Sequence, residues 1–309
     1  MPQRTSTVKR FRLDIDGAAV TALKQFSGLG VEADIAQSDG DSDSQPKKNV
    51  ANVRWTPGRA TAGIAMGKGL YGWLKAALGG GGNIGGSARN GVFKVADFDN
   101  KMKSGRTFSD ALITEFTVPK LDGASKETGF FDVAFEAEHV SWEEGNGEDI
   151  GGKINPKTAV WLCTNFKVTI GDLPCARVAS VDAFTWRRAR ASGAGIGDAH
   201  EVGTRPAASA SVPDITLSIS SADYAAWADA AKKWFFKGAS LEANEMKGRI
   251  SLLSPTLKDA DELGSIDLVN VGFKSFAHED ATFNSEQIPR FTVVLYVEKM
   301  MLNIKALDG

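Results

Sequence analysis

The sequence predicts a mainly β protein with one helix per domain, written as two tandem copies of one β-sandwich or barrel-like fold. Three observations predict it. Apolar residues recur at every second position in runs of strand length, the spacing of a half-buried strand. Only two stretches, Lys68–Leu78 and Ser221–Phe236, carry helical spacing over three turns. The order of elements also restarts. Arg10–Ile35 (RFRLDIDGAAVTALKQFSGLGVEADI) and Asn165–Arg188 (NFKVTIGDLPCARVASVDAFTWRR) share one outline of short strand, tight turn and longer strand. Landmarks keep a near-constant separation: Phe11 to Phe166 is 155 positions (166 − 11), Trp73 to Trp227 is 154 (227 − 73), and Val133 to Val293 is 160 (293 − 133). Self-similarity of this kind marks a repeated unit.

Taken in order, Phe11–Ile15 sets Phe11, Leu13 and Ile15 against Arg12, Asp14 and Asp16, and Asp16-Gly17 signals a turn. Val20–Ala36 reads as a second strand with a soft centre at Ser27-Gly28. Ser38–Asn49 has no apolar residue and reads as a solvated loop or hairpin tip. Val50–Ala65 is a strand interrupted near Pro57-Gly58. In the helix Lys68–Leu78, Leu70, Trp73, Leu74 and Ala77 share a face, and the glycines of 79–86 stop it. Val92–Phe98, Asp110–Pro119 and Phe130–Trp142 complete the first set of strands. Glu143–Thr158 (EEGNGEDIGGKINPKT) lacks a periodic apolar pattern and is the domain boundary. It gives a first domain of residues 1–145, a linker of 146–158 and a second domain of 159–309. Phe166–Ile170 then turns at Gly171–Pro174 and pairs back on Cys175–Ala179, the start of a strand running to Arg190. Ala191–Val212 is a loop, Asp214–Ile219 a strand, and Ser220 is the N-cap of the helix that follows. Lys247–Leu253, Ser265–Ala277 and Pro289–Ile304 close the second copy.

Composition excludes several classes. The 309 residues are enough for two domains, and an apolar fraction of 42% allows each its own core. A net charge of −2 supplies no global basic field for nucleic acid. No apolar run reaches spanning length, and the N-terminus lacks the apolar core of a secretory signal. Cys163 and Cys175 are too far apart along the expected hairpin to bridge, so both read as free thiols. The three histidines, His139, His200 and His278, have no partner at ligand spacing. Gly80–Gly85 (GGGNIG) matches GxGxxG in letters, but a helix precedes it and a strand follows, the reverse of the dinucleotide fingerprint. No enzyme, cofactor or metal is expected.

The strands carry the informative pattern. In Phe131–Trp142, Phe131, Val133, Phe135 and Ala137 oppose Asp132, Glu136 and Glu138. In Phe291–Ile304, Phe291, Val293, Leu295 and Val297 oppose Thr292, Tyr296 and Glu298. Each sheet therefore has a dry and a wet face. One helix covers only part of a dry face, so the edges either close within the domain or pair with another subunit.

On these features each half resembles the tail-tube fold shared by contractile and long-tailed phages, phage-like contractile injection systems and the secretion-system tube protein called Hcp. The resemblance lies in Phe11–Ile35, with its Asp-Gly turn and Ser27-Gly28-Leu29 before Glu32. It continues through the polar loop, the Trp73 helix and the closing hairpin LITEFTVPKLDG…FFDVAFEAEHVSW. The second half matches less sharply: Gly171-Asp172 stands in place of Asp16-Gly17. The resemblance implies a structural subunit of an inner tail tube, with no catalytic role. Wet strand faces would line a channel, making Asp14, Asp132, Glu136, Glu138 and Glu298 lumen candidates. The same acids fit an ordinary solvated face equally well. Ser38–Asn49 and Ala191–Val212 become stacking loops. Glu32 and Asp34 face Arg187 and Arg188 at matched positions of the two copies, which makes them candidates for contact between halves. Two copies per chain imply a trimer forming a pseudo-six-fold ring; a stacked arrangement, with each half in a successive ring, is the competitor. The implied partners are further copies of the chain, sheath, baseplate or tail-terminator proteins, and DNA or effector cargo passing through the lumen without specific binding. The implied location is a virion tail or injection particle assembled in the bacterial cytoplasm. The alternatives are an adaptor or hub at the tube end and a two-domain β binding module.

Overall fold

The structure, a computed structural model, describes residues 10–38, 47–79, 87–151, 159–190, 207–238, 242–255, 261–279 and 288–308. Most of both expected stacking loops, Gly80–Gly85, His200 and the end of the expected linker lie outside the described residues.

Among the described residues the chain is mainly β with one α-helix in each half. The first half runs β1 (Arg10–Ile15), β2 (Ala18–Ala19), β3 (Leu23–Ser27), β4 (Val31–Ser38), β5 (Lys47–Trp55), β6 (Gly58–Ala62), α1 (Lys68–Leu78), β7 (Arg89–Ala96), β8 (Met102–Val118), β9 (Leu121–Asp122), β10 (Phe131–Glu136) and β11 (His139–Glu144). The second runs β12 (Phe166–Ile170), β13 (Val178–Val181), β14 (Phe184–Arg190), β15 (Ala207–Ser211), β16 (Ile215–Ser220), α2 (Tyr224–Phe236), β17 (Met246–Leu253), β18 (Glu262–His278) and β19 (Arg290–Ile304). The strand pairings are antiparallel, and the sheets curl into a half-barrel.

Two long strands organise the molecule, and each contains the same two irregularities. β8 and β18 are both 17 residues long and start 160 positions apart (262 − 102). Each has a left-handed residue at its ninth position, Asp110 (φ 51°) and Asn270 (φ 56°). Each skips one residue a little further on. Thr114 has no partner where Ala134 and Phe135 meet Glu115 and Ile113, and Lys274 has none where Val294 and Leu295 meet Ser275 and Phe273. Bulges of this kind bend a strand and re-aim its side chains. The kink lets β8 serve two sets of neighbours: its N-terminal part pairs with β7 and β11, its C-terminal part with β10 and β14.

Several sequence expectations need correction. Val20–Ala36 is two strands, because Gly28 (φ 93°) and Leu29 (φ 56°) turn the chain between β3 and β4. Phe130–Trp142 also divides, into β10 and β11. β12 pairs with β17 along its full length rather than folding back on Cys175–Ala179, and β13 pairs with β16 and β9. At the turn the Gly171 amide (φ 47°) donates to the Lys247 carbonyl of β17 at 2.9 Å, so the end of β12 is held by β17 rather than by the returning chain. Residues 207–211, expected as loop, form β15 on β14. Both cysteines are free.

One large contiguous core runs through both halves, with Ala96, Met102 and Ile150 forming a small separate cluster. α1 buries Leu70, Tyr71, Trp73, Leu74, Ala77 and Leu78, and the Trp73 indole N–H donates to the Ser87 carbonyl at 2.7 Å. α2 buries Trp227, Ala228, Ala231 and Trp234. The Ser220 hydroxyl accepts from the Ala222 amide at the short 3-10 turn that leads into α2. α1 also reaches across to the second half. The Tyr71 hydroxyl accepts from the Ile304 amide at 3.2 Å and donates to the Asp308 carboxylate at 2.5 Å, and the Lys75 ammonium bonds the same carboxylate. Lys75 holds the Asp308 carboxyl below the usual carboxylate range, so this contribution is lost as pH falls through that lowered value. Tyr71→Phe leaves the buried Ile304 amide without an acceptor and is expected to cost about 1–3 kcal/mol, read as a lowered denaturant midpoint.

Candidate functional site

The most structured polar surface is one face of the first-half sheet, and the second half completes it. β6 alternates buried Gly58, Ala60 and Ala62 with Arg59 and Thr61, and β10 alternates buried Phe131, Val133 and Phe135 with Asp132, Ala134 and Glu136. The Thr114 bulge shifts β8 so that Phe116 and Val118 point inward while Glu115 and Thr117 join the polar face. β14 then adds to the free edge of β8 with Phe184 opposite Val118, Thr185 opposite Thr117, Trp186 opposite Phe116 and Arg187 opposite Glu115. Phe184 and Trp186 are buried on the inner side of this seam.

Two rows of side chains, polar except for the buried Ala134, therefore cross the sheet and pass over the boundary between halves. One reads Ser27, Arg59, Ala134, Glu115, Arg187 and Ser211; the other reads Gln25, Thr61, Asp132, Thr117 and Thr185. Glu115 is bracketed by Arg59 at 3.2 Å and Arg187 at 3.3 Å. Thr61 donates to Asp132 at 2.5 Å, and the Thr117 and Thr185 hydroxyls bond each other at 2.9 Å across the seam. Within these two rows two cations face two anions, and Glu136, next along β10, adds a third acid, so the face is close to charge-balanced and rich in hydroxyls. Glu115 is neutralised by two guanidinium groups, and Asp132 accepts from a hydroxyl.

The candidates named from sequence separate on this map. Asp132 lies in the second row, and Glu136 continues its strand opposite Leu112. Glu138 sits between β10 and β11. Glu298 lies in β19 and accepts from the Asn270 amide group at 2.7 Å. Asp14 departs from expectation: it is buried beside Leu13 and Ile15, and Arg12 holds it at 2.7 Å, so it is no part of the face. Glu32 and Asp34 are engaged within their own hairpin by Arg54, at 3.4 and 2.7 Å, and not by Arg187 or Arg188. Arg187 crosses the seam to Glu115, and Arg188 crosses to the Ala77 carbonyl at the end of α1, at 2.9 Å. Burial lowers the Arg188 pKa below the ordinary arginine value. Sequence reasoning missed Arg59 and Thr61 on this face; the alternation in GRATA was the available signal.

Among the described residues, no group of three or more His, Cys, Asp or Glu side chains could hold a metal ion. None of their helices is long and apolar enough to cross a membrane.

No protein-family model matches the chain, and no curated protein matches it. Solved structures similar to it include a chain of the sheath–tube complex of the extracellular contractile injection system PVC, in the extended state. That chain is 16% identical over 46% of this chain and 94% of its own length, with a TM-score of 0.39. A chain of the anti-feeding prophage cap, the AFP tube-terminating cap, is 16% identical over 47% of this chain and 94% of that one, with a TM-score of 0.39. Hcp1 from Flavobacterium johnsoniae is 16% identical over 45% of this chain and 98% of that one, with a TM-score of 0.28.

Proposed function

We propose that this chain is a structural subunit of the inner tail tube of a phage or phage-like contractile injection particle. Each chain carries two tube-type domains, and three chains form a ring of six like units around a channel. The observation that carries the reading is the β8–β14 seam. One half lends a strand to the sheet of the other, and the polar face continues across the join without a break in register. A unit that joins its own copy in this way builds a curved wall when repeated. The paired irregularities of β8 and β18 support the tandem reading. Charge balance and hydroxyl content on the polar face suit a channel wall along which a polyanion or a folded cargo slides without being held. The sheath, baseplate and terminator proteins of such a particle would be its partners, and the assembled tail its location.

Electron microscopy of the purified chain at high concentration tests this. End-on class averages are expected to show rings with an open centre and three-fold symmetry. A compact monomer at all concentrations overturns the reading, and six-fold averages built from six chains overturn its stoichiometry.

A further inference from the structure

The seam between the halves has an unfilled counterpart on the same chain. The repeat fixes the correspondence. Strands β3 and β4 map onto β13 and β14 at 155 positions, since Lys24 and Ala179 are the skipped residues of β3 and β13 (179 − 24), and Asp34 and Ala189 those of β4 and β14 (189 − 34). β8–β11 map onto β18–β19 at 160 positions (262 − 102). Burial corrects the helix correspondence from the 154 positions of Trp73 and Trp227 to 157 (227 − 70): the buried Leu70, Tyr71, Leu74 and Ala77 of α1 then map onto the buried Trp227, Ala228, Ala231 and Trp234 of α2, and Trp73 onto Ala230.

Three apolar residues are buried where the halves meet: Trp186 on the β8–β14 seam, and Leu302 and Leu78 on β19 and α1, which pack together, exposed by only 2%, 1% and 4%. Their counterparts are Val31, Trp142 and Phe235, exposed by 42%, 57% and 43%. The backbone tells the same story. β8 has β14 on its C-terminal edge. Among the described residues, Phe273–His278 of β18 has β19 on one side and no strand on the other. The counterpart of β14 is β4, which among the described residues pairs with β5 alone. An open edge beside uncovered Trp, Phe and Val side chains is a surface for strand addition.

We infer that a second copy of this chain fills it. Its β4 adds antiparallel to the C-terminal edge of β18, with Val31 opposite Phe276 and Glu32 opposite Ser275, and α2 lies against its β11 at Trp142. Lys232 then approaches Glu148 of that copy as Lys75 meets Asp308 within one chain. The contact uses two different surfaces, so copies join head to tail and the series closes into a ring. Charge prevents the wrong pairing: β4 on the edge of β8 would set Glu32 against Glu115, and like charges directly opposite each other disfavour a strand pair. This deepens the tube reading and rests on it.

Paired cysteines test the register. In a Cys163→Ala, Cys175→Ser background, Glu32→Cys with Ser275→Cys is expected to give covalent dimers and trimers on oxidation, because directly opposed strand residues lie within disulfide reach. Ala36→Cys with Ser275→Cys, four residues out of register, is expected to give none. In the otherwise native chain, Phe235→Asp is expected to raise the concentration needed for assembly at least about tenfold while circular dichroism stays that of the parent. Rings that form without the Glu32–Ser275 cross-link, and that Phe235→Asp leaves intact, overturn this junction and leave the tube reading standing. Cross-linked dimers without rings support the junction and overturn ring closure. Monomers with no cross-link overturn both.

Discussion

Trp186→Ala is expected to destabilise the chain by about 3–5 kcal/mol, the usual range for removing a buried tryptophan. The seam explains why so much rests on one side chain. Its ladder is only four register pairs long, and each backbone hydrogen bond contributes about 0.5–1.5 kcal/mol net. Removing the indole opens a cavity over Phe116, which is itself fully buried, and exposes the apolar side of that short ladder. The effect should be read in two ways. The denaturant midpoint should fall, and amide exchange should accelerate at 115–118 and 184–187 more than in the distal parts of either half. Trp142→Ala is the control: at 57% exposure it is expected to change monomer stability by no more than about 0.5 kcal/mol. Equal effects from the two substitutions would mean that the seam is not a packed joint.

Much of the fold was legible because its signals are local. α1 has the bounds its apolar spacing predicts, Lys68–Leu78, and β12 those predicted from FKVTI. The near-constant separations of Phe11 and Val133 from their partners came from element order alone, whereas matching Trp73 to Trp227 by residue type put the helix register three positions off. What sequence could not show was which strands meet. Alternation assigns faces, not neighbours, so the hairpin expected after β12 proved to be a crossing to β17. The break at Gly28 was visible only as a soft centre, because glycine permits a left-handed turn without requiring one. The polar face was legible in part. Asp132 and Glu136 stood out by period two; Glu115 and Thr117 opposed Leu112, Phe116 and Val118 only imperfectly because of the Thr114 bulge, and nothing local joined Glu115 to Arg59 and Arg187. Asp14 was misread because its alternation was correct while its environment was not: an acid on the polar side of a short strand can still be covered when a neighbour such as Arg12 folds over it.

Gly28→Ala is expected to cost about 3–5 kcal/mol, from two penalties at one atom. The residue has φ of 93°, and an added Cβ would lie 1.9 Å from the Pro57 carbonyl oxygen and 2.8 Å from its carbon. Both obstructing atoms are backbone, so no side chain can swing aside. The position is where β3 leaves the sheet and β4 begins. Around it, the Leu29 amide donates to the Thr56 carbonyl at 3.2 Å, the Thr56 amide to the Gly30 carbonyl at 2.8 Å, and the Gly30 amide to the Thr56 hydroxyl at 2.8 Å. Relief of the overlap must separate these two chain segments and so re-aim the β4–β5 hairpin. Gly17→Ala isolates the backbone share of the cost: its φ is 77°, nothing lies within 4 Å of the new Cβ, and about 1 kcal/mol is expected. Comparison of the two midpoints therefore measures the close approach itself, and equal losses would refute it. Folded Gly28→Ala protein carries a further expectation: it should fail to assemble even at temperatures where its circular dichroism matches the parent, because the strand it displaces is the one offered to the next copy.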